Sequence, residues 1–263
     1  MDDLLRIDDN EIVVDTLWAL SSLTETSDEA IRNCCESINV SRIINMMVSE
    51  EGSIRVLAIR IIGNLCRGPI DAVEKVIRNG GLVTLKEILS NKSAQEHYKE
   101  VCWIISNIVV DGKSFITSLI DSNIFPELFH LIESSNQFII RREAAWALAN
   151  TCIEATEYQT MKLVELGVIP FIIKAGQIVD YQLQGQVVEG IENLLNCGAN
   201  IDIDNQVADI FIENQGVTLL EGLTTHSISD ISNKAEKLIN LYFSKFYSSE
   251  ELMMIEDIPY NEL

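Results

Sequence analysis

Trp103 and Trp146 are each followed four residues later by an Asn, Asn107 and Asn150. Each is also preceded by three residues by a Glu, Glu100 and Glu143. On a helix these spacings bring Glu, Trp and Asn to one side. The chemistry of such a face is recognition. An indole ring attracts a cationic head by about 0.5–2 kcal/mol while the aliphatic stem of Lys or Arg packs against it. An Asn amide offers a donor and an acceptor together, as the N–H and C=O of an extended peptide require. A neighbouring carboxylate receives a basic side chain through a charge-assisted hydrogen bond. The competing reading is ordinary helix: Trp in the core, Asn packing or capping, Glu in solvent.

The pattern is not confined to two places. Similar five-residue segments begin at Trp18, Arg60, Trp103, Trp146 and Glu189, spaced 42, 43, 43 and 43 positions apart. They end at Ser22, Asn64, Asn107, Asn150 and Asn193. A period of about 40–47 residues is that of armadillo and HEAT helical repeats. Stacked helices about 8–10 Å apart meet an extended peptide, which rises about 3.3 Å per residue, once every third residue. Asn64, Asn107, Asn150 and Asn193 are therefore expected to form a row facing a peptide backbone. Trp103 and Trp146 are expected to wall slots for Lys or Arg stems. Arg60 stands at a Trp position, where a fixed cation repels a Lys. Glu189 takes the next Trp position and would attract a flanking basic residue. Ser22 replaces Asn beside Trp18, so the row weakens there.

Helices must hold these residues in line. Each period reads as a short helix, a break, a second helix, a loop and a longer third helix carrying the ladder. In the unit from Tyr158 to Cys197 the first helix closes at Gly167, and Pro170 falls in the first turn of the second. Gly80 and Gly81, Asn123 and Gly216 divide the first two helices elsewhere. Gly68, Gly112 and Gly198 follow a ladder Asn by four to five residues, where a third helix should end. This layout predicts an all-α, armadillo-repeat, right-handed superhelical solenoid. Residues 1–24 supply a half repeat of second and third helices. Five full repeats follow, at 25–67, 68–111, 112–154, 155–198 and 199–248, with Glu236 and Asn240 as the last ladder pair. Residues 249–263 read as an acidic, poorly ordered tail. Such helices bury their apolar faces only against neighbouring repeats. Leu4, Leu5, Ile7, Val13 and Leu17 are therefore candidates for an uncovered N-terminal face.

Bulk composition narrows the function classes. The 263 residues hold 19 Lys and Arg against 40 Asp and Glu, a formal net charge of −21. That excess favours a basic partner and argues against nucleic acid, which needs a basic footprint. No apolar run reaches the roughly 18–20 residues that cross a bilayer, and no basic n-region opens a secretory signal. A soluble, intracellular protein is expected. Cys34, Cys35, Cys66, Cys102, Cys152 and Cys197 form no C-x-x-C pair and are expected as reduced packing residues. His97, His130 and His226 fit no metal spacing, and no P-loop, H-E-x-x-H or G-x-S-x-G is present. No enzyme, no cofactor and no metal site are expected.

The ladder sequences go further. Residues 99–108 and 142–150 resemble third helices of the importin-α family, adaptors that carry nuclear-localisation signals. The strings at 61–68, 120–126 and 163–170 look like that family too. The resemblance covers about residues 1–248 and matches the C-terminal half of a typical member. It implies that the Trp18 segment resembles the fifth armadillo repeat, and those of Arg60, Trp103 and Trp146 the sixth to eighth, the family's minor basic-peptide groove. By the same resemblance Glu143 receives a basic side chain, Ser106 is the polar residue beside the groove Asn, and Arg60 interrupts the Trp row. One departure is visible: residues 67–73, from Arg67 to Val73, are apolar or basic where the family often has Thr and polar groups.

The expected function is thus import-adaptor-like binding of basic nuclear-localisation-signal cargo in an acidic Trp/Asn-lined groove, in the cytoplasm and nucleus. The alternative is a divergent armadillo scaffold binding other protein partners. The resemblance also implies recycling-exportin binding at residues 199–248. The family's importin-β-binding segment, rich in Arg and Lys, has no counterpart in these residues, so importin-β binding is not expected from them.

Overall fold

The structure is a computed structural model that describes residues 1–110, 112–201 and 205–244. Among these residues every regular element is helical. A single 3-10 turn (Leu4–Arg6) and α1 (Asn10–Thr24) open the chain. Helices then follow in threes. The first set is α2 (Asp28–Ser37), α3 (Val40–Met46) and α4 (Gly52–Arg67). The second is α5 (Ile70–Arg78), α6 (Gly81–Ser90) and α7 (Tyr98–Val109), with a 3-10 stretch at Lys92–His97. Then come α8 (Lys113–Asp121), α9 (Phe125–Ser134) and α10 (Phe138–Glu154), followed by α11 (Glu157–Glu165), α12 (Val168–Gly176) and α13 (Tyr181–Ile201). The last set is α14 (Gln206–Glu213), α15 (Gly216–Thr224) and α16 (Ser229–Leu238), which continues as a π-helical turn at Ile239–Phe243. The chain is an all-α armadillo solenoid. The acidic tail expected at 249–263 lies outside the described residues.

The third helices α1, α4, α7, α10, α13 and α16 touch in succession and form one layer. The residue two places after each ladder position anchors it. Leu20, Ile62, Ile105, Leu148 and Ile191 are all completely buried. Each such aliphatic side chain contributes about 1.5–3 kcal/mol on leaving water. All six cysteines are free and buried. Burial pushes the thiols of Cys66, Cys102 and Cys152 up, that of Cys152 to about 12.

The break between first and second helices is made by one residue in the left-handed region. Gly80 (φ 89), Asn123 (φ 55), Gly167 (φ 83) and Gln215 (φ 64) occupy it in successive repeats. In the last repeat the left-handed residue is therefore Gln215, not Gly216. Gly216 is required for a different reason: a Cβ there would sit 2.4 Å from the Phe211 ring. The α2–α3 junction has no left-handed residue, since Ile38 and Asn39 are extended. Gly198 does not end its helix either. α13 runs on to Ile201, and Gly198 lets Asn205 and Val207 approach, its Cβ position lying 2.2 Å from Asn205 Oδ1. At the N-terminus Leu5, Val13 and Leu17 are buried while Leu4 and Ile7 stay exposed. Asp2 fixes this turn by pairing with Arg6 at 2.8 Å and accepting from the Asn39 N–H at 3.1 Å.

Candidate peptide-binding site

The ladder side chains differ sharply in what they are free to do. Asn64 is buried, and its Nδ2 donates to Ser21 O at 3.3 Å and Thr24 Oγ1 at 3.0 Å on α1. Asn193 Nδ2 donates to Cys152 O at 2.8 Å and Ala155 O at 2.9 Å. Both amide hydrogens of each are engaged in joining repeats, and Asn193 Oδ1 also accepts from the Cys197 thiol at 3.7 Å. Asn150 Nδ2 donates to Ser106 Oγ at 2.9 Å and keeps one hydrogen free. Asn107 Nδ2, shielded from solvent, has no partner. The amides with hydrogens not committed to joining repeats are therefore those beside Trp103 and Trp146.

The three indoles also differ. Trp103 and Trp146 are half-buried, each with one side against the core. The Trp103 ring lies on Gly63, where a Cβ would be 2.5 Å from Cζ3. Gly63 thus lets the indole lie flat across α4. Trp18 is more open, 52% exposed, but Arg60 Cζ sits 6.0 Å from its ring centroid. Arg60 is held there by Glu25, with Nε to Oε1 at 2.7 Å. The protein's own cation thus stands beside this indole, at the place where a ligand cation would be repelled.

Between α4 and α7 lies a cleft of about 640 Å³, lined among others by Glu25, Arg60, Asn64, Glu96, Glu100 and Trp103. Glu25 and Glu96 were not singled out by the ladder spacing. They stand seven residues after Trp18 and seven before Trp103, Glu25 at the end of α1 and Glu96 in the 3-10 stretch ahead of α7. The three carboxylates line the cleft with the Trp103 indole, and each has a cation of the protein beside it: Arg60 by Glu25, Arg55 by Glu96 at 3.2 Å and Lys99 by Glu100 at 3.7 Å. His97 also lines the cleft. Its Nε2 accepts from Arg55 Nε at 2.8 Å. Burial lowers its pKa, assisted by Arg55 and opposed by Glu96, so the ring is neutral at physiological pH.

Known proteins of similar sequence and shape can be set beside this surface. No protein-family profile matches the chain. It is 28% identical over 260 residues to importin subunit alpha-4 of Arabidopsis thaliana, covering 97% of this chain and 48% of that protein. It is 30% identical over 247 residues to importin subunit alpha-1b of Oryza sativa subsp. japonica, covering 91% and 46%. The chain is an armadillo-repeat relative of the importin-α subunits. It spans about half the length of those relatives. In shape it matches a designed armadillo repeat protein in complex with peptide (KR)4, with a TM-score of 0.78 at 22% identity, over 90% of this chain and 96% of that one. Computationally designed armadillo repeat proteins for modular peptide recognition match at 0.79, with 21% identity over 90% and 96%. These likenesses speak to fold alone.

Within this importin-α-like array several acidic ladder residues carry internal counterions. Glu143, only 12% exposed, pairs with Arg142 Nη2 at 2.8 Å, and Arg142 Nη1 lies 3.6 Å from Asp180. Glu189 pairs with Lys234 Nζ at 3.0 Å, and Glu192 with Lys237 at 2.8 Å. Glu100 is only loosely engaged, 3.7 Å from Lys99. The spacing from Trp to Glu identified the carboxylates but gave no signal for Lys234, which comes from the next repeat. Glu236 and Asn240 are both exposed. Among the described residues no cluster of three His, Cys, Asp or Glu could hold a metal ion, and no helix is long and apolar enough to cross a membrane.

Proposed function

We propose that this chain binds extended Lys- and Arg-rich peptides of the nuclear-localisation type across α4, α7 and α10, as the minor-site half of an import adaptor. The observation that carries the reading is the pairing of half-buried Trp103 and Trp146 with the two least engaged amides, Asn107 and Asn150. Trp103 also lines the cleft of Glu25, Glu96 and Glu100. Importin-α subunits among the relatives, and a (KR)4 complex of a designed protein of the same fold, support it. Two aromatic slots contribute about 1–4 kcal/mol together. One charge-assisted hydrogen bond adds roughly 1.5–3 kcal/mol. Ordering the peptide opposes both, so affinity on the order of micromolar is expected. Calorimetry with a Lys-Arg-rich peptide tests this. Trp103→Ala/Trp146→Ala and Glu143→Arg should each weaken binding relative to wild type, whereas equal binding by all three proteins rules the surface out.

The wider role follows the same reading: repeats bounded as expected from the ladder, shuttling between cytoplasm and nucleus, and a recycling exportin held at residues 199–248. Deleting residues 228–263 should abolish exportin binding while the remainder stays folded. A second reading, a scaffold without import activity, draws on the internal counterions of Glu143 and Glu189. A protein that folds normally yet ignores every basic peptide would favour it.

A further inference from the structure

A second, smaller cavity of about 120 Å³ lies between the C-terminal ends of α4 and α7. The acidic cleft occupies the N-terminal side of Trp103, from Glu96 to Ile104 on α7. The small cavity occupies the other side, from Asn107 to Val110. Its walls are apolar: Ile70, Val73, Val110 and Phe115. Two polar residues line it. One is Asn107, whose Nδ2 is shielded from solvent and unpaired. The other is Arg67, seven residues after Arg60 on the ladder face of α4, exposed and without an ion pair among the described residues. The nearest described carboxylate on α5, Asp71, is turned away to Arg32 at 3.6 Å. The C-terminal end of α4 carries partial negative charge that favours a cation, and Arg67 in its last turn already supplies one.

We propose that this cavity takes a short acidic side chain, that of Asp, from the bound peptide. Successive side chains of an extended peptide point to opposite sides. A peptide crossing α4 and α7 at the level of Trp103 therefore sends one residue into the acidic cleft and its neighbour toward Arg67. The Arg67 guanidinium beside these apolar walls fits a carboxylate and repels the ammonium of Lys. The groove thus reads a basic residue beside an acidic one, rather than an uninterrupted basic run. This inference rests on the peptide-binding reading above.

The test is a set of Lys-Arg peptides in which Asp, Ala or Lys is placed at each position in turn, titrated by fluorescence anisotropy. One position is expected where Asp binds wild type about tenfold more tightly than Ala, the size of one charge-assisted hydrogen bond. In Arg67→Glu that preference should reverse to favour Lys, and in Arg67→Ala it should vanish. Melting curves check that both variants fold. Asp disfavoured at every position, or a preference that survives both substitutions, would overturn the proposal while leaving basic-peptide binding intact. Failure of all peptides to bind would overturn both.

Discussion

At the scale of single residues the ladder Asn side chains divide by what they already bond. Asn64 ties α4 to α1 through both amide hydrogens, while Asn107 has none engaged. Asn64→Ala should therefore destabilise the protein by roughly 1–2 kcal/mol, the worth of two buried hydrogen bonds, with little effect on peptide affinity. Asn107→Ala should leave the melting temperature unchanged or raised, because it removes an unsatisfied buried donor, and should weaken peptide binding. Thermal melts and calorimetry on the two variants separate these outcomes. The sequence placed all four Asn in one row, since spacing alone fixes the face. It did not reveal which amides join repeats, because the acceptors on Ser21, Cys152 and Ala155 belong to neighbouring helices some forty residues away.

At the scale of elements, two junctions give tests. Gln215 holds a left-handed conformation that Gly80 and Gly167 adopt without strain. Strain of about 1–3 kcal/mol at such a residue exceeds the entropy that Gly adds to the unfolded chain, about 0.5–1 kcal/mol. Gln215→Gly should raise the melting temperature, measured by circular dichroism. The docking of α16 on α13 should be acid-sensitive. The hydrogen bond from Lys237, aided by Lys234, holds the Glu192 carboxyl below its ordinary 4.5. Above 4.5 the carboxylate is charged in folded and unfolded states alike, and its stabilising contribution is fully present. As pH falls through the lower folded value, the unfolded chain takes the proton first and the contribution is lost. Lys237→Ala should flatten this acid limb in hydrogen exchange of α16. An unchanged limb would exclude the pair as its cause. The helix order and most breaks were legible from Gly and Pro punctuation. Gly198 misled because a helix can run through a glycine that is needed for close packing instead.

At the scale of the whole molecule, a chain of net charge −21 gathers Glu25, Glu96 and Glu100 along one cleft. Binding of a Lys-Arg peptide should weaken steeply with salt, as the Debye length shrinks from about 8 Å at 0.15 M to about 3 Å at 1 M. A salt-independent affinity, measured by calorimetry, would point to apolar docking elsewhere. The repeat period was legible because each third helix repeats one buried position, Leu20, Ile62, Ile105, Leu148 and Ile191. The internal counterions were not, because Lys234 and Arg142 act across repeats whose register only the folded stack defines. The central claim is that a basic peptide lies across Trp103 and Trp146, and the three tryptophans permit a direct reading of it. Indole N–H resonances of 15N-labelled protein, assigned by substitution, can be followed as a Lys-Arg peptide is added. The Trp103 and Trp146 signals should shift with one common affinity, while Trp18, beside the fixed cation of Arg60, should move little. Shifts confined to Trp18, or no shift in any indole despite calorimetric binding, would contradict the account.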